Sequence, residues 1–169
     1  MRPVLLMDVD GPLNPFEAAW FVHGTPAEGY EFHELTPAGG FTYRVALNRR
    51  HGEQLTSLAA SYDLAWATTW LDDANRLIAP ILGLPQDLPV VPLTRPMLSR
   101  SRRCWKTDQI AAWVGGRPFG WFDDEINRPT RDWLEDEPSV GRHLALWVSP
   151  ATGLTGEHLE RLAAFAQTT

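Results

Sequence analysis

The chain has 169 residues, 44% of them hydrophobic and 21% charged, which fits one soluble domain with a sizeable core. Its net charge of −6 excludes a protein that gathers nucleic acid or anionic membrane by overall electrostatics. The single cysteine excludes an internal disulfide framework and a cysteine-based zinc cluster, and it suits a cytoplasmic setting.

Val4-Leu5-Leu6-Met7 reads as a strand buried on both faces, hence parallel. It runs into Asp8-Val9-Asp10-Gly11-Pro12. In an open α/β sheet the ligand lies beyond the carboxyl ends of the strands, so two carboxylates are delivered to that edge. A break in strand geometry at Asp10-Gly11, which Gly11 permits, would let both acids address one ligand. A plain turn closing a polar strand end is the alternative at this point.

Residues 15–45 are rich in Gly, Pro and aromatics. Tyr30 to Leu35 and Phe41 to Val45 alternate apolar and polar, and Thr36 to Gly40 between them completes a hairpin pattern. Placed directly after the Asp motif, it is expected to form a small flap over the site. An edge hairpin without substrate contact is the other reading.

Asn48 to Ala60 reads as a helix capped by Asn48. Leu64 to Ala67 is a second buried strand, ending in Thr68-Thr69, and a helix is expected from about Asp72 to Leu82, stopped by Gly83. Leu88 to Leu93 reads as a short edge strand because of its prolines. A polar loop, Thr94 to Arg103, carries Arg95, Arg100, Arg102 and Arg103. Trp105 to Val114 is a helix ended by Gly115-Gly116. Phe119 to Phe122 is a strand leading into Asp123-Asp124-Glu125, Leu144 to Val148 is the last strand, and Thr155 caps a final helix through Phe165. Strands alternating with helices predict an α/β, doubly wound, Rossmann-like and mainly parallel sheet with helices on both faces. One domain over 1–169 is expected. No basic start leading into a long apolar segment is present, so neither a signal peptide nor a membrane span is expected.

The polar ends of three apolar runs, Asp8 and Asp10, Thr68 and Thr69, and Asp123 and Asp124, are expected at one edge of the sheet, with Lys106 leaning in from the start of a helix. Four carboxylates in one crevice need a cation, and oxygen ligands favour Mg²⁺. The set suits phosphoryl transfer. One Asp attacks phosphorus, a second protonates the leaving oxygen and then activates water, and Mg²⁺, Lys106 and a Thr hydroxyl hold the phosphoryl oxygens.

In this order the motifs resemble the haloacid dehalogenase (HAD) superfamily: Asp8-Val9-Asp10, Thr68 after Trp66-Ala67, Lys106, and Asp123-Asp124. The resemblance implies a Mg²⁺-dependent phosphomonoesterase. Asp8 would be its nucleophile, Asp10 its general acid and base, and Thr68 and Lys106 would complete the catalytic set. Mg²⁺ would be held by Asp8, the Asp10 backbone carbonyl and Asp123 or Asp124. Two departures stand out: Pro12 replaces the Thr or Val of many members, and Thr69 competes with Thr68. Asp-Val-Asp-Gly-x-Leu-Asn-Pro, Trp-Ala-Thr-x-Trp and Trp-Phe-Asp-Asp-Glu also look like the HAD domains of bacterial RNA-repair proteins. With only a minimal cap, that resemblance implies a phosphorylated substrate such as a nucleic-acid end. Asn14, Thr69, Arg102 and Arg103 are expected around it, although a solvated loop is the plainer reading of the arginines. No membrane and no obligatory protein partner are expected.

Cys104 has basic neighbours that would lower its pKa, yet no partner base, so it receives no role. Trp70 and Trp105 flank motif residues, where core packing is a plainer reading than stacking on a base. A signalling receiver shares Asp, Thr, Lys and Mg²⁺, but places its acidic pair first and a lone acceptor Asp later. A non-catalytic anion-binding module would not need Asp10.

Overall fold

The computed structural model describes residues 2–97 and 101–168. In chain order the strands are β1 Val4–Met7, β2 Tyr30–Leu35, β3 Tyr43–Asn48, β4 Asp63–Trp66, β5 Phe119–Asp123 and β6 His143–Trp147. The helices are α1 Ala19–His23, α2 Arg49–Leu58, α3 Ala79–Leu82, α4 Thr107–Val114, α5 Arg128–Asp136 and α6 Gly156–Gln167. A π-helical turn, Ala74–Ile78, leads into α3.

β1 lies inside a four-stranded, all-parallel sheet of order β4-β1-β5-β6. Its side chains alternate between two cores. Leu5 and Met7 pack with Leu64, Trp66 and Phe122 and with apolar residues of α2, α3 and α6. Val4 and Leu6 pack with Ala65, Phe119 and Trp121 and with Ile110 and Val114 of α4 and Leu134 of α5. A strand covered on both sides must be apolar throughout, which is what its sequence shows. The α/β architecture is therefore the expected one, with helices on both faces of the parallel sheet.

The elements differ from expectation where proline decides. Pro89 and Pro92 reduce the expected edge strand to an isolated bridge between Trp66 and Val90, because proline has no N–H for a ladder. The helix expected from Asp72 contains Pro80, whose ring crowds the turn before it, and the backbone there widens into the π-turn. Helix α5 was not expected at all. Its cap is Asn127, whose side chain accepts from the Thr130 N–H at 3.0 Å, and Pro129 sits in its first turn, where a missing N–H costs nothing. Asn48 caps α2 as expected, accepting from the Arg50 N–H at 3.0 Å.

β2 and β3 form a separate antiparallel hairpin. Its second strand begins at Tyr43 and runs on to Asn48, later than the expected Phe41 to Val45. The tip is latched to the π-turn region. The Ala38 N–H donates to Asp73 Oδ2 at 2.8 Å, and Arg76, paired with Asp73, donates to the Thr36 carbonyl at 3.3 Å. Asp73→Ala removes the Arg76 pair and the Ala38 hydrogen bond, the latter worth about 1 kcal/mol to the hairpin tip. Amide exchange at Ala38 and its neighbours is expected to speed up roughly fivefold, with protection in β1 unchanged. Equal exchange in variant and wild type would mean that the hairpin is held by other contacts.

Candidate active site

The site is assembled at the carboxyl ends of three adjacent strands. Met7 is in register with Trp66 on one side and Phe122 on the other. The next residues, Asp8, Ala67-Thr68 and Asp123, therefore emerge at one level of the sheet. Lys106, immediately before α4, reaches between two of them. Its Nζ donates to Asp8 Oδ2 and to Asp123 Oδ2, each at 2.7 Å, and all three residues are buried. Burial alone would lower the Lys106 pKa, but Asp8 and Asp123 outweigh it and hold the ammonium above its ordinary value.

The carboxylates are oriented by further donors. Asp8 Oδ1 accepts from the Val9 N–H at 2.9 Å. Asp123 Oδ1 accepts from the Glu125 N–H at 2.8 Å, and Trp121 Nε1 donates to Asp123 Oδ2 at 3.2 Å. Burial, followed by repulsion from Asp8, raises Asp123 well above the usual carboxylate range. The same two causes push Asp124 up to about 6. One lysine thus faces three acids, and negative charge is in excess. One carboxylate oxygen from each of Asp8, Asp123 and Asp124 lies within 4.8 Å of the others. This all-oxygen donor set fits a hard divalent cation such as Mg²⁺.

Asp10 stands at the open side. Asn14 Nδ2 donates to its Oδ1 and Trp70 Nε1 to its Oδ2, both at 2.9 Å. Burial raises the Asp10 pKa, the Asn14 bond pulls it back, and Asp8 raises it further, for a net rise. Asn14 Oδ1 also accepts from the Ala46 N–H at 2.9 Å, which ties the Asp loop to β3. The turn between Asp10 and Asn14 depends on Gly11, whose φ is +89°. Asp10 borders a cleft of about 890 Å³ between the hairpin and residues 69–73.

Asp8, Lys106, Asp123 and Asp124 converge around one point, with Asp10 beside them. Thr68 is fully buried, and its Oγ1 accepts from the Trp70 N–H at 3.4 Å. Thr69 is exposed and, like Asn14, lines the cleft. Arg102 and Arg103 do not line this cleft. Arg103 pairs with Asp108 at 2.9 Å, stacks 4.6 Å over Trp133 and lines a second hollow with Glu125 and Asn127. Arg102 is exposed, and Arg100 falls outside the described residues. Cys104 departs from expectation. Burial pushes its thiol up, and Asp123 adds to the rise, so no reactive thiolate forms there. Two contributions escaped the sequence reading: the indole N–H of Trp70 on Asp10, and the facing aromatics of the hairpin. The only sequence signal for Trp70 is its place two residues after Thr68.

Among the described residues no helix is long and apolar enough to cross a membrane. A comparison with curated proteins gives no match. Among solved structures, a hypothetical protein from Xanthomonas campestris is similar at 16% identity and a TM-score of 0.49, covering 99% of this chain and 85% of its own. The family described as the HAD domain in Swiss Army Knife RNA repair proteins matches residues 4–159. With that match covering nearly all of the chain, the protein belongs to the HAD superfamily, in the family of HAD domains of Swiss Army Knife RNA repair proteins.

Proposed function

We propose that the chain is a Mg²⁺-dependent phosphomonoesterase that works through an aspartyl-phosphate at Asp8, with phosphorylated nucleic-acid ends as its substrate class. Family membership supports a HAD-type phosphoesterase. The observation that carries the finer reading is Asp8, buried and held by Lys106 at 2.7 Å, two residues before an Asp10 that opens on a cleft. A cytoplasmic setting and a single domain over 1–169 belong to the same proposal.

Mg²⁺ held by Asp8, Asp123, Asp124 and the Asp10 backbone carbonyl would offset negative charge on the acids and on the phosphoryl group. The remaining work falls to the chain. The Asp8 carboxylate attacks phosphorus, forming an acyl phosphate as the bond to the leaving oxygen breaks. Asp10 gives that oxygen its proton. Each Asp10 oxygen accepts one hydrogen bond and keeps a second lone pair where a proton can sit. The raised pKa of Asp10 suits an acid that is protonated for the first half of the cycle. In the second half Asp10 takes a proton from water, which attacks phosphorus and releases Asp8 and inorganic phosphate. Lys106 and the Thr68 hydroxyl steady the charge that develops on the transferring group.

Asp8→Asn is expected to reduce turnover of an aryl phosphate by more than roughly a thousandfold, with far-ultraviolet circular dichroism unchanged. Chelation is expected to silence the wild type, and Mg²⁺ to restore it. Turnover persisting in Asp8→Asn would remove Asp8 from the nucleophile's role.

A further inference from the structure

The cleft beside Asp10 is lined by an unusual share of exposed apolar surface. Phe41 is 75% exposed, Tyr43 52%, and Phe16 and Leu71 38% each, and all four line this one cavity. They come from three separate stretches of chain: the loop after Asn14, the hairpin, and the loop after Thr68. Trp70, whose indole holds Asp10, meets Tyr43 edge-on with ring centroids 5.9 Å apart. Leu71 has a φ of +48°, and no other non-glycine residue among those described has a positive φ. A strained backbone that leaves a leucine in solvent is not what folding alone selects. Gathered around one concavity, such a patch marks a ligand surface.

A cation lies in the same cleft. Arg44 stacks 3.7 Å over Phe32 and 5.5 Å from Phe21, and it has no carboxylate within ion-pair distance among the described residues. Its guanidinium lies over these rings and donates to the Phe21 carbonyl at 3.4 Å, with its charge not neutralised by an ion pair among the described residues. Aromatic walls, an arginine without an ion pair among the described residues and a phosphoryl-transfer acid at one end suit a ligand with a planar ring and a second anionic group beside the scissile phosphate.

We propose that this cleft is a nucleotide-reading subsite: Phe41, Tyr43 and Trp70 bind the base that carries the scissile phosphate, and Arg44 binds the neighbouring phosphate. The proposal rests on the phosphatase reading above, and it adds the residues that choose the substrate. Stacking on aromatic side chains tolerates any base, so the subsite selects for a nucleotide rather than for a sequence. The arginine distinguishes a polynucleotide end from a free mononucleotide, because only the former carries a second phosphate.

The test compares kcat/KM on 3′- and 5′-phosphorylated dinucleotides, on the matching mononucleotides, and on acetyl phosphate, which has no ring. The double variant Phe41→Ser, Tyr43→Ser is expected to lower the ratio of dinucleotide to acetyl phosphate activity by about tenfold or more, through KM. Arg44→Gln is expected to lower dinucleotide activity several-fold while sparing the mononucleotide. Val22→Ser, which alters an apolar residue 72% exposed outside the cleft, is expected to change neither ratio. Unchanged ratios in the aromatic variants would overturn the subsite, and so would a change in oligomeric state without a change in ratio, since that would make the patch a protein contact. Should no phosphate ester turn over with Mg²⁺ supplied, the phosphatase reading fails. Equilibrium dialysis of the labelled dinucleotide against wild type and the double variant then decides the subsite by itself: weaker binding in the variant supports it, and equal binding ends it.

Discussion

Lys106→Met is expected to cost roughly 3–5 kcal/mol of folding stability at pH 8, on the scale of breaking a buried ion pair from one side. Lys106 is only 2% exposed, and its ammonium is shared between Asp8 and Asp123, which are buried as well. Methionine keeps most of the buried stem, so the loss reports charge rather than volume. What remains is a pair of desolvated carboxylates that repel each other. They can relax only by taking up a proton, and that becomes easier as pH falls. The cost is therefore expected to shrink when urea unfolding is measured at pH 5 instead of pH 8. Wild-type stability at pH 8 would mean that the two acids are not both ionised around the lysine. Turnover is expected to fall as well, because in the proposed mechanism this group steadies the phosphoryl oxygens.

Much of this site can be read in the sequence because its parts sit at strand ends. A run such as Val4 to Met7 fixes where a buried parallel strand stops, and the residue after it is exposed to whatever binds at that edge. Asp8, Thr68 and Asp123 each follow such a run, which is why they converge in space though far apart in the chain. Lys106 was legible only as a lysine near a helix start. Its reach to both acids is set by how α4 packs beneath β1 and β5. Trp70 and Arg44 were harder still. An indole next to a motif is compatible with core packing, with stacking and with hydrogen bonding, and only the hairpin's position over Asp10 selects among them. For the arginine loop, a count of basic residues overlooks a local partner: Asp108, five residues after Arg103, pairs with it. Helix α5 hid because Asn127-Arg128-Pro129 resembles a turn, although the same residues are a cap and a first turn when a helix follows.

Gly11→Ala is expected to separate fold from function. At φ +89° an alanine carries backbone strain of roughly 1–2 kcal/mol. In addition its Cβ would lie 2.6 Å from the Cβ and Cγ of Asp124. That contact is too short to keep, so either the Asp10–Asn14 turn or Asp124 must move. A shift of about 1 Å in a catalytic or cation-holding group costs on the order of a hundredfold in rate. The expected result is a small fall in melting temperature with turnover reduced at least a hundredfold, and weaker binding of Mg²⁺ followed by calorimetry. Gly83→Ala is the matching control. It imposes similar strain at φ +74° in open space at the end of α3, away from the acids. It is expected to lower stability by a comparable amount while leaving turnover intact. If the two variants behave alike in turnover, the close packing of Asp124 on the Asp10 turn has no part in catalysis, and Asp124 is merely adjacent to Asp8.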